Sequence, residues 1–195
     1  MLYPFCRFLF RSFFALVYRW KVEGGENIPP QGAVVICANH ISNMDPPLIG
    51  SAASRKVYFM AKEELFRIPI LSFFIRRFGA FPVKRGASDR KALKHALAVL
   101  QKEEALGIFP EGTRSKTGKL GEAHPGAALI ALRGDAVVVP VAIIGPYRLF
   151  RRVSIIFGSP IDLKPYKEDK ITSKTVREVT ARIMKEIEQL MEMNK

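Results

Sequence analysis

Short apolar, β-branched runs alternate along this chain with longer stretches of helical periodicity. Strands are predicted at 33–38, 56–60, 80–83, 106–109, 137–143 and 153–157, each four to seven residues long. Helical segments are predicted near 46–53, 62–77, 88–103 and 123–133. A last helix, 172–193, carries Val176, Val179, Ile183, Ile187 and Leu190 at helical spacing. Strands alternating with helices imply an α/β class: a single domain with a mixed, largely parallel sheet covered by helices on both faces. Pro140 interrupts the apolar run Val139-Pro140-Val141-Ala142-Ile143, which predicts an edge strand or a bulge beside a pocket. No repeat or low-complexity stretch breaks the pattern.

Residues 1–20 differ from the rest. On a helical wheel Leu2, Phe5, Leu9, Phe13, Leu16 and Trp20 fall in one sector, with Arg7, Arg11 and Tyr18 opposite. A spanning helix would hold two arginines near mid-bilayer, and no small-residue cleavage site follows to suggest a signal peptide. An interfacial helix fits better, with aromatics at the acyl boundary and arginines at anionic head groups. The alternative is a helix that covers the domain core. The expected division is an anchoring helix over 1–22 and a folded domain over 23–195, with Gly24-Gly25 and Pro29-Pro30 marking the passage.

The chemistry concentrates just after two predicted strands. Asn39-His40-Ile41-Ser42-Asn43-Met44-Asp45 follows the run Ala33–Ala38 and leads into Pro46-Pro47. Five helical steps rotate about 140°, and an odd offset in a strand points side chains to opposite faces. His40 and Asp45 therefore meet only if the chain turns between them, and Ser42, Asn43 and the prolines supply that turn. Asp45 is expected at a helix N-cap with Pro46 at the first helical position. An exposed His oriented by an Asp makes a general base; the plainer reading is a hydrogen-bonded loop pair.

After the run Leu106–Pro110 comes Glu111-Gly112-Thr113-Arg114-Ser115. Gly112 permits close approach of backbone N–H groups, Thr113 and Ser115 offer hydroxyls, and Arg114 offers a fork that matches phosphate oxygens. Glu111 either orders Arg114 or contacts a polar head group. The plainer reading is a polar turn with a surface ion pair. A third segment, Gly79–Gly86, ends a strand in two adjacent cations, Lys84 and Arg85.

Charge sharpens this picture. The 195 residues carry 31 Lys and Arg against 18 Asp and Glu, a net charge of +13, which calls for an anionic partner. Arg55 to Lys94 holds eleven basic residues against Glu63, Glu64 and Asp89. Nucleic acid is disfavoured, because the cations are not interleaved with aromatics and no nucleic-acid motif is present. Cys6 and Cys37 give neither a disulfide framework nor metal spacing, and His40, His95 and His124 lie far apart.

Taken in order, Asn39-His40 to Asp45, Gly79 to Arg85, Phe109 to Ser115 and Val139 to Ile143 resemble the glycerolipid acyltransferases, specifically the 1-acyl-glycerol-3-phosphate acyltransferases, over roughly residues 22–160. The resemblance implies transfer of an acyl group from a thioester of coenzyme A or acyl carrier protein to the sn-2 hydroxyl, giving phosphatidate. It implies His40 as general base held by Asp45, direct attack with no acyl-enzyme, and substrate-phosphate binding by Arg85, Glu111, Gly112, Thr113 and Arg114. No metal or cofactor is implied. The expected setting is the cytoplasmic face of the cell membrane, as a peripheral or monotopic protein on an anionic surface. Where relatives often carry a Lys after this block, the chain reads Ala123-His124-Pro125-Gly126, and His124 is taken as structural. The N-terminal segment is short for the family. Other acceptors stay open (glycerol 3-phosphate, another lysophospholipid, an amino-acyl lipid), as does a catalytically dead lipid-binding protein.

Overall fold

The computed structural model describes residues 2–84, 89–167 and 170–194. Among these, seven strands form one sheet in the order β1-β7-β6-β2-β5-β3-β4. They are β1 (Lys21–Glu23), β2 (Val34–Ala38), β3 (Val57–Lys62), β4 (Ala80–Val83), β5 (Ala105–Ile108), β6 (Val137–Ile144) and β7 (Ser154–Phe157). From β6 across to β4 every pairing is parallel, β7 runs antiparallel to β6, and β1 lies parallel to β7. The helices are α1 (Leu2–Tyr18), α2 (Asp45–Ala52), α3 (Pro69–Arg77), α4 (Arg90–Leu100), α5 (Gly126–Arg133) and α6 (Ser173–Met193).

β2 is the centre of the sheet and is buried on both faces, as five apolar residues in a row require. Its side chains alternate between two cores. Val35 and Cys37 pack with α4, α5 and α6, whereas Val34, Ile36 and Ala38 pack with α1 and α2. Burial pushes the Cys37 thiol up to about 12, which leaves it a core side chain without nucleophilic character. The α/β class with helices on both faces is borne out.

Four local expectations need correction. The predicted helix over 62–77 is divided at Pro69: residues Glu63–Arg67 are a 3₁₀ turn, and Ile68 is extended (φ −89°, ψ 110°). The residue before a proline is pushed out of the α region, so α3 begins afresh. β6 is an interior strand, so Pro140 does not mark an edge. Its carbonyl accepts from Gly158 N–H where the ladder to β7 is interrupted, between the Val141–Phe157 pair and the isolated Val138–Ile161 bridge. The proline therefore falls where no ladder donor is required. β1, three residues long, was too short to show in the pattern.

The arginines of α1 are the fourth correction. Arg7 donates to the carbonyls of Ser51 and Ala53, and Arg11 to that of Ser51 (3.3 Å), at the C-terminal end of α2. They satisfy orphan carbonyls at the negative end of that helix and are not directed at head groups. Phe14, fully buried, seats α1 in the same core as β2. The opposite side of α1 remains apolar and open, with Phe5 59% and Leu16 74% exposed.

Candidate active site

The carboxyl ends of β2, β5 and β6 lie side by side, and the loops leaving them build the site. The loop after β2 starts with Asn39, whose buried side chain clamps β6: Nδ2 donates to Ile143 O (2.9 Å) and Oδ1 accepts from Ile143 N (2.7 Å). His40 is thereby fixed two residues beyond the end of β2.

The chain then turns as the spacing requires. Asp45 N donates to Ser42 O, and Asp45 Oδ2 lies 2.7 Å from His40 Nδ1. The same oxygen accepts from Ile41 N and Ser42 N, both at 2.7 Å. Oδ2 already accepts from two backbone N–H groups and so faces the ring as an acceptor; Nδ1 then carries the ring proton and Nε2 keeps its lone pair. His40 stacks on Phe109 at a centroid distance of 4.0 Å and 18° between planes. It is 7% exposed, not the open His expected from the turn, and Asp45 is fully buried. The N-cap of α2 is Met44, with Asp45 one position inside the helix. Asp45 does not cap α2 because its carboxylate turns back to the loop that carries His40.

Glu111 also departs from expectation. Its Oε1 accepts from His40 N and its Oε2 from Gly121 N, each at 2.7 Å. It neither orders Arg114 nor faces a head group: the buried carboxylate ties the loop after β5 to the backbone of His40. Ser115 N reinforces that tie by donating to His40 O (2.8 Å). Gly112 stands at φ +67°, and a Cβ there would lie 2.8 Å from His124 Cδ2. Gly112 thus serves the turn and its packing on His124, a structural neighbour. Thr113 and Arg114 are exposed at the tip of this loop. Lys84 lies exposed beyond β4, and Arg85 falls outside the described residues.

Two residues at the site were not singled out by the sequence: Tyr147, and Lys62, which counted only toward the basic excess of Arg55 to Lys94. Tyr147, in the loop after β6, donates to Asp45 Oδ1 at 2.7 Å. Burial of the phenol, then the charge of Asp45, holds Tyr147 well above the ordinary phenol range, so it stays a donor. No motif announces it, since it lies 102 residues from its partner. Lys62, at the end of β3, lines the same cavity as His40; its position at a strand end was the available signal.

That cavity, about 880 Å³, lies between α1, α2, β3 and α3. Its walls are apolar, including Leu9, Phe10 and Phe13 of α1, Phe59 of β3, and Leu71 and Ile75 of α3, with His40 at its edge. Gly107 makes room for the Phe59 ring, which a Cβ would meet at 2.3 Å. A volume of this size is that of a site for a sizeable apolar ligand.

A buried His–Asp pair at the carboxyl edge of a parallel sheet, opening on an apolar cavity, is an arrangement suited to an α/β enzyme whose site takes an apolar ligand. The comparisons agree with that class. Residues 19–144 match the acyltransferase family. The chain is 34% identical over 190 residues to a 1-acyl-sn-glycerol-3-phosphate acyltransferase of Streptococcus pneumoniae, covering 90% of this chain and 70% of that protein. It is 32% identical over 166 residues to a protein of the same description from Bacillus subtilis, covering 82% of each. The crystal structure of the 1-acyl-sn-glycerophosphate (LPA) acyltransferase PlsC from Thermotoga maritima matches with a TM-score of 0.77 at 30% identity, over 97% of this chain and 79% of that one. This chain belongs to the acyltransferase family, and it is an O-acyltransferase.

The placement of Glu111 carries a prediction. In Glu111→Gln an amide accepts from only one of the two N–H groups and turns its own N–H toward the other. Stability should fall by about 1–3 kcal/mol, read as a lower urea midpoint, and kcat should fall while the acceptor KM changes less than twofold. A rise in acceptor KM alone would return Glu111 to the substrate.

Proposed function

We propose that the protein transfers a fatty acyl group from an acyl thioester to the sn-2 hydroxyl of 1-acyl-glycerol-3-phosphate, forming phosphatidate for phospholipid synthesis. The observation that carries this reading is the His40–Asp45 pair at 2.7 Å on the edge of the apolar cavity. The family and the relatives described above support the acceptor.

His40 Nε2 takes the proton of the glycerol hydroxyl as its oxygen attacks the thioester carbonyl. The C–O bond forms, the C–S bond breaks, and the thiolate leaves with the proton returned through the imidazolium. Asp45 stabilises the charge that appears on the ring. General-base assistance of this kind supplies about 10²–10⁴-fold. The acyl chain lies in the cavity, where its CH₂ groups leave water at about 0.8 kcal/mol each. Arg114, with Lys62 in the cavity wall and Arg85 from the resemblance, serves the acceptor phosphate. The thioester is already activated, so the reaction calls for no metal or cofactor. Acyl-coenzyme A and acyl carrier protein present the same thioester, and the surplus of positive charge suits either anionic donor.

The enzyme works at the cytoplasmic face of the membrane, seated on anionic lipid without crossing it. Among the described residues no helix is long and apolar enough to cross a membrane. Two helices that wall the cavity turn apolar side chains outward. α1 exposes Phe5, Phe8 and Leu16, and α3, which has no buried residue, exposes Ile70, Phe73 and Phe74 beside Arg76 and Arg77. A helix with its outward apolar side chains this exposed is suited to burial in lipid.

Thiol release from palmitoyl-coenzyme A should depend on lysophosphatidate and fall at least about 10²-fold in His40→Ala; equal rates for both proteins would remove His40 as the base. Arg114→Ala should raise the acceptor KM with the thioester KM little changed, and equal losses for both substrates would count against the phosphate role. The triple substitution of Phe5, Phe8 and Leu16 to Ser should weaken sedimentation with anionic vesicles and leave the urea midpoint near wild type. Unchanged sedimentation would sink the membrane reading.

A further inference from the structure

The loop between β6 and β7, residues 145–153, belongs to neither of the motif loops, yet it touches both the His–Asp pair and α1. Tyr147 Oη donates to Asp45 Oδ1 (2.7 Å), on the oxygen that His40 does not use. The Tyr147 ring meets that of Tyr18, at the end of α1, edge to face at 5.5 Å and 85°. The backbone of the same loop is stitched to α1: Phe150 N donates to Val17 O (2.8 Å) and Val153 N to Tyr18 O (3.1 Å). Phe14, Tyr18 and Tyr147 share one core cluster.

We propose that Tyr147 is a positioning residue for the His40–Asp45 pair, and that α1 holds it in place through Tyr18. This rests on the reading of His40 as the general base.

Asp45 has two jobs that compete. It must keep the imidazole oriented, and it must not hold a proton on the ring so firmly that the base is spent before the substrate arrives. Tyr147 serves both. Its hydroxyl fixes the plane of the carboxylate from the side opposite His40, and by donating to Oδ1 it draws charge from the group that stabilises the imidazolium. Removing that donor leaves Asp45 a stronger partner for the protonated ring. The neutral, active imidazole then prevails only at higher pH. The other charged and titratable groups around the pair stay as they are: Glu111 on His40 N, and Arg7 and Lys62 in the cavity wall.

The link to α1 gives the arrangement a consequence. The helix with the exposed apolar face is also the one that seats Tyr147. Displacement of α1 from the sheet would loosen the donor on Asp45 and open the cavity wall that Leu9, Phe10 and Phe13 form. Lipid that holds α1 in place thus favours the competent His–Asp pair, and the base is oriented best where the substrate resides.

Tyr147→Phe retains the ring and its packing on Tyr18 and deletes only the O–H. We expect kcat to fall about tenfold, both KM values to stay within twofold, and the acid limb of the kcat profile to move to higher pH. An unshifted limb with wild-type kcat would overturn the proposal, as would a lowered melting temperature with unchanged kinetics, the mark of a merely structural side chain. Tyr18→Leu should move the limb in the same direction by less. The double variant should be no worse than Tyr147→Phe alone, because both act through one hydrogen bond. Independent, multiplying effects would overturn the role of α1. His40→Ala separates the layers: if it is inactive while Tyr147→Phe behaves as wild type, this inference fails and the base assignment stands. If His40→Ala retains full activity, the base assignment itself fails.

Discussion

A single buried carboxylate organises the functional end of this molecule. Asp45, with no exposed surface, collects four donors: His40 Nδ1, Ile41 N and Ser42 N on one oxygen, and the Tyr147 hydroxyl on the other. Burying such a charge without partners would cost several kcal/mol or more. With four donors the group is tolerated, and each donor is fixed in return. The two backbone N–H groups shape the turn after β2, the imidazole takes one tautomer, and the loop after β6 is drawn over the site. The turn, the imidazole and its orientation are therefore one construction.

The sheet supplies the platform on which that construction is repeatable. β2 is flanked by β5 and β6, so three loops emerge together at their carboxyl ends. Each ties the site together through a polar side chain: Asn39 to β6, Glu111 to the backbone of His40, Tyr147 to Asp45. Polar groups sited this deep hold a geometry because each is fully partnered. On the face of the sheet that carries α1 and α2, the cavity needs the opposite chemistry. Its apolar walls come from α1, β3 and α3, and Gly107 leaves room for the Phe59 ring. The two surroundings meet at the ring of His40, which pairs with Asp45 on one side and lines the apolar cavity on the other.

Much of this was legible in the residues. The apolar runs gave six of the seven strands, and the turn-formers between His40 and Asp45 supplied the turn without which the two side chains could not meet. What escaped had physical causes. Glu111 reads as a ligand because it sits beside Arg114, but its partners are backbone N–H groups, which no residue type reveals. Tyr147 acts across 102 positions, a separation that only the fold closes. The helical wheel placed Arg7 and Arg11 opposite the apolar stripe and could not say that α2 ends there with open carbonyls. Pro140 suggested an edge strand or a bulge, and its run alone could not choose, because the interruption that accommodates it belongs to β7 and the segment after it.

The charge on Asp45 is the centre of the account, and Asp45→Asn isolates it. An amide in the same place keeps an oxygen toward Ile41 N, Ser42 N and the His40 ring, and turns its N–H₂ to the Tyr147 oxygen, so the fold and the hydrogen bonds persist. Steady-state turnover of lysophosphatidate and palmitoyl-coenzyme A by this variant should fall about 10²-fold or more, with both KM values near wild type. Wild-type turnover by a folded Asp45→Asn protein would contradict the account, because the imidazolium would then need no charged partner.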